Sequence, residues 1–132
     1  MKTAQKEHLV LRDSNRHHRF ALSNISYIIC EDYLCTIHRF HGDHVTCSIS
    51  LCKIEEMLKE TFFYRINRHI LLNLKQVVMV ECKGRKRFAL LKNGERLPIA
   101  DRRWKDFKTK YYSDTLAENN DTLAEKNDTF TK

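Results

Sequence analysis

The side chains with the most distinctive chemistry in this sequence are neighbouring hydrogen-bond donors between positions 65 and 69. Arg68 carries a fork of donors that suits O6 and N7 of guanine, and the amide of Asn67 suits N6 and N7 of adenine. Other basic side chains are better suited to phosphates, which position a protein without specifying a base sequence. This second group consists of Arg65, His69, Lys75, Arg102, Arg103 and Lys105. The two groups together predict a nucleic-acid surface with separate base and backbone contacts.

Some of these residues also have a structural interpretation. Arg65 lies between the apolar Phe63 and Ile66, so a bond to a backbone carbonyl or to a helix C-terminus suits the sequence as well as a phosphate contact does. Asn73 is interpreted as a capping or turning residue. The run at residues 83–87 is the densest basic cluster, and at a hairpin tip it is either a contact or only a solvated turn.

The charge is divided unevenly along the chain. Residues 1–112 contain 22 Lys and Arg against 12 Asp and Glu, whereas residues 113–132 contain 2 against 5. Basic side chains that neutralise phosphates release condensed counterions, which makes a polyanion the expected partner of the basic part. We therefore expect nucleic acid to bind residues 1–112.

The sequence predicts a cytoplasmic protein. Residues 1–11 contain Lys2, Lys6 and Glu7 and lack the apolar stretch of a secretion signal. No aliphatic run approaches the roughly 20 residues that a bilayer requires. The five cysteines are an odd number, which a reducing compartment explains more simply than a disulfide framework does.

Cysteine and histidine spacing gives only a weak metal signal. Two pairs have C-x4-C spacing, and two histidines stand nearby: Cys30/Cys35, Cys47/Cys52, His41 and His44. Structural zinc sites typically separate paired cysteines by two to four residues and close a tetrahedron. Cys47 alternates with Val45 and Ile49, which predicts that it faces the core as a small hydrophobe. We expect no metal and no other cofactor.

The sequence also offers little to an enzyme. It contains no glycine-rich phosphate loop, no H-E-x-x-H and no nucleophile motif, and it has only three glycines. We therefore expect a binding protein without a small-molecule substrate.

Short apolar runs and alternating patterns predict a mainly β domain with short helices. The predicted strands lie near residues 9–11, 19–22, 25–29, 33–38, 45–49, 70–74, 76–81, 87–92 and 95–99. Residues 41–43 and Asn93-Gly94 are predicted hairpin turns, the second because a type I′ turn needs two residues that tolerate positive φ. Pro98 stands near the end of the last strand, where its missing N–H costs little.

Two helices are predicted beside these strands. Ser50 precedes apolar positions with i, i+3, i+7 spacing and begins a helix that ends near Glu60. Asp101 is the candidate N-cap of a second helix, with Trp104 and Phe107 on one face. From residue 114 the chain repeats D-T-L-A-E with little apolar surface. We predict an N-terminal extension at residues 1–7, a domain at 8–112 and a flexible acidic tail at 113–132.

The segment F-Y-R-I-N-R-H-I-L-L-N at residues 63–73 is similar to the signature F-x-R-x-H-R-S-x-L-V-N of the LytTR family. Three other segments agree in order and spacing with the family's early strand, short helix and final hairpin: residues 24–28, 50–58 and 93–99. The resemblance covers residues 8–112, nearly all of the predicted domain.

The resemblance implies a fold and an activity that the pattern of apolar residues does not reach. The fold would be an elongated β-β-β arrangement of small sheets whose loops enter successive major grooves. The function would be sequence-specific binding of double-stranded promoter DNA by a bacterial transcription regulator, often in pairs on direct repeats. Most family members carry an N-terminal receiver domain, for which this sequence has no room, so we expect control by expression level, by a separate partner protein or by oligomerisation, such as a homodimer on DNA. Stand-alone members of the family are often encoded beside a membrane-protein inhibitor, which is a candidate partner.

The sequence departs from the family pattern at two loops. The family's His-Arg-Ser appears as Asn67-Arg68-His69, and the Arg that follows the last strand is replaced by Asp101. An acidic side chain does not suit phosphate, so Arg102 or Arg103 must take that role or the contact is lost. The family's third loop corresponds to residues 30–33, where two acidic residues stand. The alternative is a LytTR-like interaction module, anti-regulator or RNA binder that no longer reads bases.

Overall fold

Three antiparallel sheets form most of the protein. The computed structural model describes the backbone of residues 6–118 and side chains as far as Ser113. The strands are β1 (His8–Asp13), β2 (Arg16–Ala21), β3 (Ile25–Glu31), β4 (Leu34–Arg39), β5 (His44–Ser48), β6 (Phe63–Arg65), β7 (Ile70–Asn73), β8 (Val77–Lys83), β9 (Lys86–Leu91) and β10 (Arg96–Ile99). The helices are α1 (Leu51–Met57) and α2 (Asp101–Glu118), with single 3₁₀ turns at Leu22–Asn24 and Leu74–Gln76. The predicted mainly β fold class is confirmed.

The sheets differ in size and are built from neighbouring strands. β1 and β2 form a hairpin, β10-β9-β8 form a three-stranded sheet, and β5-β4-β3-β7-β6 form a five-stranded sheet. Both predicted turns are present, but the turn at Asn93-Gly94 is not of the predicted type I′, because Gly94 has a positive φ and Asn93 does not. Gly94 has a φ of +94° in the turn between β9 and β10, where Leu91 N–H donates to Glu95 O, and Gly42 has a φ of +105° after β4. Only glycine adopts these angles without strain, which explains why these turns could be predicted.

β3 and β7 of the five-stranded sheet are buried on both faces, and each face belongs to a different core. The first core contains Ile28 of β3, the hairpin β1–β2 and α1; the second contains Tyr27 of β3, the three-stranded sheet and α2. Phe107 of α2 is fully buried in the second core and stacks with Trp104 and Tyr111. Truncating such a residue to alanine typically costs about 3–5 kcal/mol of stability.

Both helices differ in length from the sequence-based prediction. Ser50 caps α1 as expected, its Oγ accepting from Lys53 N–H at 3.3 Å, but the helix ends at Met57 rather than near Glu60. Glu60 has a φ of +66°, which no helix accommodates. α2 runs to Glu118, six residues into the segment assigned to the tail, and Asp101 is its first residue rather than its cap. The tail beyond residue 118 lies outside the described residues.

Two of the cysteines form a disulfide, although the sequence predicted that all of them would be free. Cys30 and Cys35 face each other across β3 and β4 and are joined by a disulfide, with their Cα atoms 4.0 Å apart. Cys47 is buried and free, and Cys52 and Cys82 are exposed and free. The expectation missed this pair because it depends on cross-strand pairing, which residue counts do not show.

Among the described helices, none is both long enough and apolar enough to cross a membrane.

Candidate nucleic-acid interface

One end of the molecule collects three connecting segments, which together we call the loop end. These are the β6–β7 loop (residues 66–69), the β3–β4 turn (residues 31–34) and the start of α2 (residues 101–105). Cys30 N–H donates to His69 O at 2.9 Å, which joins the first two segments. Ala100 N–H donates to Ile66 O at 2.9 Å, which joins the first and third. Backbone hydrogen bonds thus fix the relative positions of the three segments.

Asn67 shapes the β6–β7 loop through its side chain. Its Oδ1 accepts from the backbone N–H groups of His69 at 2.8 Å and Ile70 at 3.1 Å. Its Nδ2 donates to Pro98 O at 2.8 Å, across to β10. These bonds occupy the acceptor oxygen and one amide hydrogen, leaving a single donor. The bidentate adenine contact predicted for Asn67 requires both a donor and an acceptor, so this geometry opposes it.

Arg65 has the structural role that the sequence left open. Its Nη1 lies 2.9 Å from Glu55 Oε1 of α1, and its Nη2 donates to Arg68 O at 2.7 Å. Burial lowers the pKa of Arg65, but hydrogen bonds to Glu55 and Cys52 outweigh this effect and raise it overall. Arg65 is therefore a fixed cation that ties the β6–β7 loop to α1, with little of its side chain exposed.

Arg68 is the exposed residue of this loop. Its backbone carbonyl is held by Arg65, whereas its guanidinium makes no hydrogen bond, ion pair or ring contact with residues 6–113. His69 is also exposed, and its Nδ1 lies 3.3 Å from Cys30 O, so only Nε2 is left for a ligand. The loop therefore presents one unengaged arginine beside one half-engaged histidine.

The start of α2 separates the two arginines that could replace the family's missing contact. Arg102 is exposed, and its guanidinium makes no hydrogen bond, ion pair or ring contact in the described part of the chain. Arg103 is half-buried, and its carbonyl accepts from the Tyr64 hydroxyl at 3.4 Å. Burial raises the pKa of Tyr64, as does the Asp106 carboxylate, against the opposing charge of Arg103. Arg102 is thus the better placed of the two, and Lys105 is exposed on the same helix.

Asp101 is partly neutralised within the protein. Its carboxylate lies 3.5 Å from Arg87 Nη1, and the Arg87 guanidinium lies 4.8 Å from the centre of the Trp104 ring. Arg87 comes from β9, where it pairs with Ile99. This ion pair lowers the repulsion that Asp101 would exert on a phosphate.

The basic run at residues 83–87 also lies at the loop end. Because Arg87 is opposite Ile99, the β8–β9 turn extends beyond the start of α2, and Lys83, Arg85 and Lys86 are exposed there. The sequence showed the cluster, but only the register of β9 on β10 shows that it stands beside the predicted site. The acidic β3–β4 turn has its own exposed apolar pair, Tyr33 and Leu34.

Lys75 is not part of this surface. It lies in the 3₁₀ turn that follows β7, at the opposite end of that strand from residues 66–69. A four-residue strand spans about 13 Å. Its Nζ lies 4.8 Å from the centre of the Phe62 ring, and the residue lines a cavity of about 480 Å³ with Lys6 and Lys92. The structure therefore separates Lys75 from the other predicted site residues.

Comparison with known proteins identifies the same domain family from the sequence and from the fold. Residues 15–111 match the family profile of the LytTr DNA-binding domain. Among solved structures, the LytTr DNA-binding domain of a Bacillus cereus protein described as a methyl-accepting/DNA response regulator superposes with a TM-score of 0.67. It is 19% identical, and the alignment covers 80% of this chain and 97% of that one, which supports the fold alone. A search of curated proteins found no match.

Proposed function

Because the chain belongs to the LytTR DNA-binding domain family, we propose that it is a bacterial transcription regulator that binds promoter DNA sequence-specifically through its loop end. The observation that carries this proposal is the exposed, unengaged guanidinium of Arg68 on a loop held from three sides. A fixed loop with a free fork of donors is what bidentate recognition of guanine requires. Arg68 is the base reader of this proposal.

The neighbouring residues divide into two roles. Asn67 and Arg65 are positioning residues, because their side chains bond to the backbone around Arg68. The exposed cations contact phosphates and supply affinity without sequence preference. This phosphate group consists of His69, Arg102, Lys105, Lys83, Arg85 and Lys86, with the half-buried Arg103 in a minor role. The protein acts in the cytoplasm and has no catalytic activity.

Binding in pairs on direct repeats is part of this proposal. The fold has several loops at one end, and each protein copy would place them in adjacent major grooves of one half-site. Two copies on one face of the duplex would then read repeats about one helical turn, or a multiple of it, apart.

A second candidate function is an interaction module that no longer reads bases. Two observations favour it: Asp101 stands where the family has an arginine, and the β3–β4 turn carries Glu31 and Asp32 at the same end. Such a protein would bind a partner regulator through the exposed Tyr33 and Leu34.

One titration series separates these functions. Fluorescently labelled random duplexes are selected on the full chain, and the enriched sequence is titrated beside a scrambled duplex, single-stranded DNA and RNA. We expect enrichment of one motif and binding to its duplex at least about a thousandfold tighter than to the scrambled duplex. Equal affinity for all four ligands, or no enrichment, would favour the interaction module.

A further inference from the structure

The inner face of the β1–β2 hairpin changes from apolar to polar at its turn. Side chains of a strand alternate between faces, so Asp13 follows Leu9 and Leu11 on the face toward the first core. On β2, His18 precedes the buried Phe20 on that same face. Asp13 pairs with Arg16 and Leu11 with His18, which makes Asp13 and His18 diagonal neighbours. Both are half-buried where apolar side chains would complete the pattern.

Cys47 completes a group of three with these residues. It belongs to β5, at the edge of the five-stranded sheet, and only 1% of its surface is exposed. One carboxylate oxygen of Asp13, one ring nitrogen of His18 and Cys47 Sγ all lie within 4.8 Å of one another. Among residues 6–113 this is the one group of three or more possible metal ligands that lies so close together.

The imidazole of His18 provides a second, independent observation. Its Nε2 is shielded from solvent and has no hydrogen-bond partner in the described part of the chain. An unsatisfied buried polar atom normally costs stability, so native structures provide such atoms with a partner. A metal ion between the three side chains would be that partner.

We propose that Asp13, His18 and Cys47 bind one Zn²⁺ ion, which joins the β1–β2 hairpin to the edge of the five-stranded sheet. Thiolate, imidazole and carboxylate are all zinc ligands, and bonds of 2.0–2.3 Å place tetrahedral ligand atoms about 3.3–3.8 Å apart. Small side-chain rotations close the observed separations to that range. On binding, the Cys47 thiol loses its proton to solvent, and water fills the fourth position.

This proposed site differs from the expectation from sequence that no metal binds. That expectation depended on the spacing of neighbouring cysteines in the sequence, whereas the proposed ligands come from both strands of a hairpin and from β5. The effect that follows is stabilisation of the folded state, because an ion that binds only this state stabilises it by an amount that grows with the logarithm of its concentration over Kd.

The test uses the full chain, purified without metal under reducing conditions and titrated with Co²⁺. Cobalt in a tetrahedral site with a thiolate ligand gives visible absorption and a thiolate charge-transfer band. We expect one Co²⁺ per chain, displaced by Zn²⁺, and a melting temperature that rises with Zn²⁺. Cys47→Ser should abolish the charge-transfer band, and His18→Ala should weaken Co²⁺ binding by at least tenfold.

Matched controls come from the exposed neighbours of these ligands. His17 lies on the outer face of the same strand as His18, and Cys52 carries an exposed thiol. The variants His17→Ala and Cys52→Ser should both bind Co²⁺ like the original protein. Cys35→Ser should also keep the band, since Cys35 is not among the three ligands. If circular dichroism shows that Cys47→Ser does not fold, the comparison of Co²⁺ binding by His18→Ala and His17→Ala tests the proposal instead. The proposal is overturned if the original chain gives no band, or if His17→Ala and His18→Ala behave alike.

Discussion

Three consecutive residues in the β6–β7 loop make three different sets of contacts. Asn67 bonds to backbone groups of its own loop and of β10, Arg68 is exposed without a partner among residues 6–113, and His69 is half-engaged with Cys30. The sequence suggested that Asn67 and Arg68 would read bases together. That expectation for Asn67 depended on side-chain chemistry alone, whereas its amide also donates to a carbonyl 31 residues away in the chain.

Substituting Asn67 tests the positioning role. Asn67→Ala removes three hydrogen bonds, and we expect DNA affinity to fall while the selected base motif stays the same, with stability lower by about 1–3 kcal/mol. Asn67→Asp keeps the acceptors for His69 and Ile70 and should bind better than Asn67→Ala if phosphate repulsion is screened by salt. A changed motif in either variant, measured by repeating the selection, would show that Asn67 reads a base.

Among the secondary-structure elements, turns and helix caps that depend on neighbouring residues could be predicted from the sequence, whereas features that depend on strand pairing could not. Asn93-Gly94 predicted the β9–β10 turn, because this turn needs the positive φ that Gly94 adopts. Ser50 predicted the start of α1, because its hydroxyl caps the helix. β6, only three residues long, was missed, because its strand character comes from pairing with β7 rather than from its own pattern. The Cys30–Cys35 disulfide and the place of residues 83–87 beside α2 likewise depend on strand register.

Tyr27 links two elements and gives a pH-dependent prediction. Its hydroxyl donates to Glu95 Oε2 at 3.1 Å, joining β3 to the β9–β10 turn. Burial, together with the Glu95 charge and hydrogen bond, raises the pKa of Tyr27 from 10.0 to about 12. The folded state therefore favours the neutral phenol, and stability present below pH 10 should be lost between about pH 10 and 12.

Chemical denaturation across this range measures the effect. Tyr27→Phe should show a smaller loss of stability between pH 10 and 12, because no phenol is left to ionise at that position. The exposed Tyr33 provides the matched control, and Tyr33→Phe should follow the original curve. Equal slopes for Tyr27→Phe and the original protein would show that folding does not raise the pKa of Tyr27.

For the molecule as a whole, a basic domain that contains both cores is followed by an acidic segment. Among the described residues, six exposed cations stand at the loop end of a domain with two cores: Arg68, Arg102, Lys105, Lys83, Arg85 and Lys86. The acidic residues 114–132 follow its last buried aromatic, Phe107. Deleting residues 114–132 should strengthen DNA binding modestly, because repulsion of phosphates is removed. α2 would keep the ring stack that fills the second core.

The deletion is checked by calorimetry and by titration at two salt concentrations. The melting temperature should stay within a few degrees, and the gain in affinity should shrink at high salt, where charges are screened. A large drop in melting temperature would show that residues 114–132 stabilise the domain. A gain that does not depend on salt would contradict the electrostatic explanation.

The central claim, that Arg68 reads a base while Arg102 contacts phosphate, is tested by one comparison of specificity. Arg68→Ala should lower affinity for the selected duplex by roughly 1–3 kcal/mol and flatten base preference at one position. Arg102→Ala should weaken selected and scrambled duplexes alike and reduce the salt slope by about one unit. Lys75→Ala, at the far end of β7, is the control and should change neither.

The measurement is the ratio of affinities for the selected and scrambled duplexes, with folding of each variant confirmed by circular dichroism. We expect this ratio to fall at least about fivefold in Arg68→Ala and to stay constant in Arg102→Ala and Lys75→Ala. An unchanged ratio in Arg68→Ala would contradict base reading by this residue and leave the non-reading interaction module as the better explanation.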